Sequence, residues 1–149
     1  MMTLEALDRY LREQRADYEL IRQDSPILAT QDAARHFDLQ YAAPTLVLQT
    51  ETGLMSLIVS AQRGRVNFEA LKARLGLSKL KLADRKKAEK ATGYPAGAIP
   101  LVGSGLPCVF DARLLDFAYI YGGSGDPLHT LKISPRDVER LNAVVFRLG

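Results

Sequence analysis

Two apolar runs rich in strand-forming residues stand next to each other near the middle of the chain. They read 45-TLVLQT-50 and 54-LMSLIVSA-61, and only Glu51, Thr52 and Gly53 separate them. A connection this short predicts a β-hairpin, because parallel strands need a crossover of about a dozen residues or more. The fold is therefore expected to contain antiparallel pairing and not to be a doubly wound parallel sheet.

Short helix and strand patterns alternate along the rest of the chain. Apolar residues at helical spacing predict helices at 3–15, 30–37, 67–76, 85–92 and 135–141. The predicted N-caps are Thr3, Thr30, Asp84 and Ser134, and Gly76 and Gly93 are predicted helix ends. Further strands are predicted at 17–23, 78–83, 107–111, 117–123, 128–134 and 143–147. These patterns indicate an α/β fold of the α+β type, with a mixed, mainly antiparallel central sheet and surrounding helices.

Size and composition predict one domain, spanning residues 1–149. The chain has 149 residues, of which 47% are apolar and 25% charged, as in soluble globular proteins. No targeting segment or membrane span is expected, so we expect a cytoplasmic location. The single cysteine, Cys108, lies in an apolar run and is expected to be a buried strand thiol. His36 and His129 lack metal-ligand spacing, and neither a metal nor another cofactor is expected.

Positive charge is concentrated in one segment, from Arg63 to Lys90. This segment contains ten Lys and Arg residues and three acidic residues, which is a net charge of +7. The whole chain carries +3, so the remainder is net negative at −4. Such a segment is typical either of a surface that binds nucleic acid or of a solvated helix face, and the charge count alone does not separate the two.

Glycine and proline are concentrated in 91-ATGYPAGAIPLVG-103, and a second glycine-rich loop reads 122-GGSGD-126. Neither loop has the spacing of a P-loop, of a dinucleotide-binding fingerprint or of a GxSxG nucleophile motif. Kinase, NTPase, dehydrogenase and serine hydrolase activities are therefore disfavoured. The loops are either structural bends or a source of backbone N–H groups, which can stabilise an oxyanion without a catalytic side chain.

The order of these elements resembles that of the YbaK/EbsC-like proteins. The resemblance rests on the TGYPAGAIPLVG segment after a helix, the strand 107-PCVFD-111, and 121-YGGSGDPLHTLKISPRDVERL-141, and it extends from about Leu4 to Leu141. It also covers 45-TLVL-48 and 67-NFEALKARLGLSKLKLA-83. These relatives are free-standing aminoacyl-tRNA deacylases related to the editing domain of bacterial prolyl-tRNA synthetases. The resemblance implies hydrolysis of a tRNA mischarged with a small amino acid, with the 2′-hydroxyl of the tRNA and a bound water taking part.

The resemblance, together with the glycine loops and the basic segment, assigns candidate roles to individual residues. Those expected to act in catalysis are the loop backbone at Gly97, Ala98 and Gly103, and the side chains of Lys81 and Lys86. Those expected to bind substrate are Ser25, Thr30, Thr45, Ile99, Pro100, Gly122, Gly123, Ser124 and Gly125. Those expected to contact nucleic acid are Arg63, Arg65, Lys79, Arg85 and Lys87. The expected partners are aminoacyl-tRNA and an aminoacyl-tRNA synthetase, with the protein a monomer or weak homodimer.

The chain departs from the family pattern at two telling positions. Pro44 stands before 45-TLVL-48, where relatives usually carry a lysine that holds the substrate or the tRNA phosphate. The loop 97-GAIPL-101 has Ala98 in place of a second glycine, and its proline, Pro100, comes one residue early. Two alternatives follow. The protein is an active deacylase that relies on loop N–H groups, or it is a binding relative that has kept the pocket and lost turnover.

Overall fold

The computed structural model describes every residue from Met1 to Gly149. Five α-helices are present: α1 (Leu4–Glu13), α2 (Thr30–Ala33), α3 (Phe68–Leu75), α4 (Arg85–Thr92) and α5 (Pro135–Leu141). The eight strands are β1 (Tyr18–Arg22), β2 (Thr45–Thr50), β3 (Gly53–Ile58), β4 (Leu80–Leu82), β5 (Pro107–Asp111), β6 (Ile120–Gly123), β7 (His129–Ile133) and β8 (Ala143–Leu148). Single turns of 3₁₀ helix lie at Leu39–Tyr41, Ala96–Ala98 and Ala112–Asp116.

Local sequence signals determine most helix ends. The side chain of Thr3 accepts the N–H of Ala6 at 3.1 Å, and that of Asp84 accepts the N–H of Lys87 at 3.2 Å, so both predicted N-caps are confirmed. Gly76 and Gly93 end α3 and α4 with φ of 68° and 81°. This left-handed conformation is one that glycine adopts without a steric penalty.

Two predicted caps need correction. Thr30 is the first residue of α2 and not its cap; Ala29 occupies the cap position, and α2 ends at Ala33 instead of near Phe37. The chain enters this helix through a different contact, because the Asp32 carboxylate accepts the N–H of Leu28 at 3.1 Å. Ser134 does precede α5, but its side chain makes no capping hydrogen bond.

The predicted hairpin forms the centre of a five-stranded mixed sheet. The strand order is β4-β2-β3-β5-β8. β2 pairs with β3 and with β4 in antiparallel orientation, whereas β3–β5 and β5–β8 are parallel. The turn of the hairpin also anchors β4, because the Glu51 carboxylate accepts the N–H and hydroxyl of Ser78 and the N–H of Lys79. The backbone hydrogen bond from Ser78 is the main reason that the pKa of Glu51 falls to about 2.

The remaining strands form a second sheet, with the order β1-β7-β6 and antiparallel pairing throughout. The mixed, mainly antiparallel α/β fold is therefore confirmed, with the strands divided between two sheets. A parallel bridge between Ala42 and Tyr121 joins the sheets, and the N–H of Ala43 donates to the Tyr121 carbonyl at 2.8 Å. This junction is important because a cavity opens beside it.

Three apolar clusters hold the layers together, and the two largest contain 13 and 7 buried residues. The larger one contains Leu7 and Leu11 of α1 packed with Phe110, Ile120 and other fully buried side chains of both sheets. The smaller one lies under α3 and includes Leu48, Leu57 and Leu71. Cys108 is buried within the larger cluster, as predicted, and burial raises the pKa of its thiol. None of the helices has both the length and the apolar character needed to cross a membrane.

Candidate functional site

A cavity of about 450 Å³ opens where the two sheets meet. Its walls come from residues 27–33, the start of β2, the turn into α4, the 3₁₀ turn at Ala96–Ala98, β6 and the start of β7. Most lining side chains are apolar, and many are as small as alanine or glycine. A cavity of this size and character suits a small organic group with few polar contacts.

The two glycine-rich loops meet at this cavity. The N–H of Leu101 donates to the Gly123 carbonyl at 3.0 Å, and the N–H of Gly125 donates to the Ala98 carbonyl at 2.8 Å. A Cβ atom on Gly123 would lie 2.1 Å from the Ile99 carbonyl oxygen, so only glycine permits this approach. The residues predicted to bind substrate that line the cavity are Thr30, Thr45, Ile99, Gly122 and Gly123.

The backbone N–H groups of the first loop are used unequally. The N–H of Ala98 donates to the Pro95 carbonyl at 2.9 Å, so it is not free for the catalytic role predicted for it. The N–H groups of Gly97 and Ile99 make no hydrogen bond within the chain, although both residues line the cavity. A buried or half-buried N–H without an acceptor is costly unless a ligand or water supplies one. Among the residues of this loop that line the cavity, Gly97 and Ile99 thus carry the free N–H donors.

Residues 26–29, termed here the 26–29 segment, press directly on Gly97. A Cβ on Gly97 would lie only 1.8 Å from the Leu28 carbonyl oxygen. The segment is held in place because the N–H of Ile27 donates to the Pro127 carbonyl at 2.8 Å and the Arg85 guanidinium donates to the Leu28 carbonyl at 3.3 Å. The 26–29 segment therefore connects three walls of the cavity.

One guanidinium, one carboxylate and one imidazole line the cavity, and of the three residues the sequence predicted only Arg85 as a site residue. Arg85, at the start of α4, is its single Lys or Arg; the side chain is 60% exposed and lies 3.6 Å from Glu89. Asp126 is its single carboxylate, and His129 its single histidine. The Nδ1 atom of His129 is buried without a hydrogen bond, although Asp126 Oδ2 is 3.4 Å away. The sequence signal for the last two is that Asp126 ends the second glycine loop and His129 follows it by three positions.

An aromatic pair forms another part of the wall. Phe37 stacks on Tyr121 with ring centroids 4.4 Å apart, and both residues line the cavity. Burial, together with neighbouring Tyr119, raises the pKa of Tyr121, so its phenol keeps its proton at neutral pH. The cavity wall is therefore a neutral, largely apolar surface on this side.

The other predicted site residues lie away from the cavity. Lys81 and Lys86 are exposed and do not line it, so neither replaces the missing lysine by position. Ser25, Pro100, Gly103, Ser124 and Gly125 also lie outside the lining. Ser25 instead bonds the His36 ring at 2.8 Å, and the Ser124 hydroxyl donates to the His129 carbonyl at 2.7 Å. Gly103 packs near Met2 and Leu7, in a different part of the fold.

The predicted nucleic-acid contacts also divide into two groups. Arg63 is engaged inside the protein, because its guanidinium lies 3.0 Å from the buried carboxylate of Asp111 and also donates to the Gly149 carbonyl. Exposed cations of the basic segment that make no ion pair are Arg65, Arg74, Lys79, Lys81, Lys86, Lys87 and Lys90. Arg85 joins this surface to the cavity.

A family model described as the aminoacyl-tRNA editing domain matches residues 24–141. The match contains every element that lines the cavity, from the 26–29 segment to the start of β7. It also covers most of the chain, which makes the match a property of the whole fold and not of one motif.

Solved structures share this fold. A hypothetical protein has a TM-score of 0.83 at 22% identity, covering 95% of this chain and 97% of that one. A candidate trans-editing enzyme for prolyl-tRNA synthetase has a TM-score of 0.77 at 19% identity, covering 98% and 97%. A candidate signal transduction protein from Marinobacter aquaeolei has a TM-score of 0.64 at 19% identity, covering 95% of this chain but 29% of that one. At these identities the likeness shows the fold.

Proposed function

Because the chain belongs to the aminoacyl-tRNA editing domain family, we propose that it is an aminoacyl-tRNA deacylase. In this proposal it hydrolyses the ester that joins a wrongly attached small amino acid to the 3′ end of a tRNA, acting in trans in the cytoplasm. A mischarging aminoacyl-tRNA synthetase supplies such a substrate. The products are a free amino acid and an uncharged tRNA.

One observation carries the proposal. Two residues of the cavity lining, Gly97 and Ile99, have N–H groups that lack an internal acceptor, and a third, Arg85, carries the single guanidinium. The 3′ end of an aminoacyl-tRNA offers the matching groups, because its ester carbonyl becomes an oxyanion during hydrolysis and its last phosphodiester is an anion. Donors already aimed at a developing oxyanion lower the barrier without first having to reorganise.

The volume and lining of the cavity support the proposal that the amino acid of the substrate is small. Alanine and glycine supply much of the wall, including Ala42, Ala43, Ala88 and Gly97. About 450 Å³ must accommodate both the acyl group and the terminal nucleoside, which leaves little room for a long side chain. The resemblance to known deacylases implies that the tRNA 2′-hydroxyl and a water complete the chemistry, so the site needs no nucleophilic side chain.

The second candidate function is a binding relative without turnover, and Pro44 is the observation that favours it. Pro44 lines the cavity at the position where relatives carry a lysine, and no ammonium group replaces it there. Loss of one positioned charge commonly costs a few kcal/mol of transition-state stabilisation, or about 10²–10³ in rate. The two functions therefore differ in rate and not in what is bound.

A Pro44→Lys substitution separates the two functions. If the protein is a deacylase weakened by loss of the lysine, an ammonium on the cavity wall can pair with the terminal phosphate, and single-turnover hydrolysis should rise about tenfold. If Pro44 serves only to begin β2, stability changes by at most about 1 kcal/mol and hydrolysis does not rise. Deacylation rates and melting temperatures measured for both proteins decide between these results.

Binding of tRNA should depend steeply on salt. About four phosphate contacts from the basic segment would lower affinity on the order of a hundredfold between about 50 and 200 mM salt. A Lys87→Ala variant should reduce the logarithmic salt slope by about 1, whereas Arg113→Ala, which removes an exposed cation outside the segment, should leave it unchanged. Filter binding or fluorescence anisotropy measures both slopes, and a salt-independent interaction would contradict the proposed docking surface.

The most direct test of the proposed activity is a panel of tRNAs, each mischarged with a different small amino acid. Release of the amino acid is followed in time against a control without protein. We expect hydrolysis of at least one ester far above the spontaneous rate. Binding of these tRNAs with no acceleration of hydrolysis would support the non-hydrolytic alternative.

A further inference from the structure

We propose that Asp126 recognises the α-ammonium group of the substrate and makes the protein specific for esters of amino acids with a free amino group. This inference rests on the proposed function and goes beyond it by assigning the chemical class of the acyl group. An acyl group that carries a hydroxyl in place of the amine, or an acylated amine, is a poor substrate in this proposal. The carboxylate of Asp126 touches the substrate but takes no part in bond cleavage.

Only one of the two oxygens of the Asp126 carboxylate accepts a hydrogen bond from the chain. Its Oδ1 atom accepts the N–H of Leu128 at 2.8 Å and so fixes the turn between the second glycine loop and β7. Its Oδ2 atom accepts no hydrogen bond from the chain, and the nearby Nδ1 of His129 is left without a partner. The side chain is 39% exposed. An anionic oxygen in the wall of an open cavity is therefore available to a ligand.

A carboxylate oxygen of this kind selects a particular type of ligand group. An ionised carboxylate accepts hydrogen bonds and donates none, so its best partner is a cationic donor. An α-ammonium group is cationic at neutral pH and carries three donors. Asp126 is the only carboxylate that lines the cavity, and the rest of the lining is mainly apolar. No other cavity residue can compensate the charge of an ammonium group once it leaves water.

The cation and the anion of the cavity lining lie on different elements. Arg85 lies at the start of α4, whereas Asp126 lies in the turn before β7. An aminoacyl-tRNA end also has two charges, a phosphodiester on one side of the ester and an ammonium on the other. Placing each charge on its complement sets the direction in which the ester lies across the loop at Gly97. Reversing the substrate would bring like charges together.

A structural role of Asp126 is separable from this recognition role. An asparagine at position 126 keeps an oxygen that can accept the Leu128 N–H, so Asp126→Asn should preserve the turn while removing the charge. Asp116→Asn is the matched control, because Asp116 is exposed, does not line the cavity and loses the same charge on substitution. Melting temperatures of both variants check that the fold is intact.

The test uses two acceptor-stem microhelices with amide-linked, non-hydrolysable 3′ ends. One carries alanine, and the other carries lactate, which has a hydroxyl where alanine has the ammonium. Wild type and Asp116→Asn should bind the alanyl form about ten- to a hundredfold more tightly than the lactyl form. Asp126→Asn should lose this preference through weaker binding of the alanyl form, with its affinity for the lactyl form unchanged.

The outcomes distinguish this inference from the proposed function. If wild type binds the two microhelices with equal affinity, the assignment of Asp126 is overturned and the proposed deacylase function is left intact. The same holds if Asp126→Asn lowers the affinity for both microhelices equally. Failure of wild type to bind either microhelix overturns the proposed function and this inference with it. Loss of the preference in Asp126→Asn alone supports the assignment.

Discussion

Replacing Gly97 with alanine is expected to lower single-turnover deacylation by at least about a hundredfold. The new Cβ would lie 1.8 Å from the Leu28 carbonyl oxygen, and both the glycine and its obstacle are backbone, so neither can move aside as a flexible side chain would. The 26–29 segment or the loop must shift, and the free N–H groups of Gly97 and Ile99 shift with it. A displaced oxyanion donor alone costs about 10²–10³ in rate.

Gly64→Ala is the matched control for this substitution. A Cβ on Gly64 meets no atom within 4 Å, so the same chemical change there should leave activity unchanged. Gly97→Ala should also lower stability by about 1–3 kcal/mol, the usual cost of overpacking, and melting curves report this separately from the rate. Normal activity in a Gly97→Ala protein would mean that the close contact with Leu28 does not position the loop.

The local parts of the fold can be predicted from sequence because each has its own short-range cause. The hairpin follows from two apolar runs and a short polar turn, and β2 and β3 pair as that pattern requires. Asp84 and Gly93 mark the two ends of α4 through a side-chain acceptor and a positive φ. Effects of this kind involve residues within a few positions of each other and therefore leave a trace in the sequence pattern.

The division into two sheets has no such trace. The parallel pairings of β3 with β5 and of β5 with β8 join segments far apart in sequence, as does the bridge between Ala42 and Tyr121. Alternation of apolar residues shows that a segment is a strand but does not name its partner. The misplaced cap at Thr30 has in part the same origin, because the 26–29 segment that leads into α2 is held by the distant residues Gly97, Arg85 and Pro127.

The candidate site shows the same limit at the level of single residues. Glycine-rich composition indicates the loops at Gly97 and Gly122, yet the reason that residue 97 must be glycine is the carbonyl of Leu28, almost seventy positions earlier. Charge counting finds the basic segment but not which of its cations reaches the cavity. The search for a lysine to replace the one missing at Pro44 suggests Lys81 and Lys86, whereas the structure brings Arg85 to the wall.

Arg85 and Lys86 therefore provide the sharpest comparison on this surface. They are adjacent cations at the start of α4, both exposed, and only Arg85 lines the cavity. Arg85→Ala should lower kcat/KM for deacylation about ten- to a hundredfold, because a guanidinium paired with the terminal phosphodiester is lost. Lys86→Ala should change kcat/KM by no more than about twofold, since a solvated cation contributes mainly to long-range attraction.

The Arg85 guanidinium also donates to the Leu28 carbonyl. The effect of the lost phosphate contact on kcat/KM must therefore be separated from the effect of any movement of the 26–29 segment. Arg85→Lys keeps the charge but not the forked geometry, and it should recover part of the rate if the phosphate contact is what matters. Raising the salt concentration should reduce the difference in kcat/KM between wild type and Arg85→Ala, because salt screens the phosphate contact. Salt would not reverse the effect of a displaced 26–29 segment. Equal losses in Arg85→Ala and Lys86→Ala would contradict a specific contact, and the basic segment would then act only by attracting tRNA.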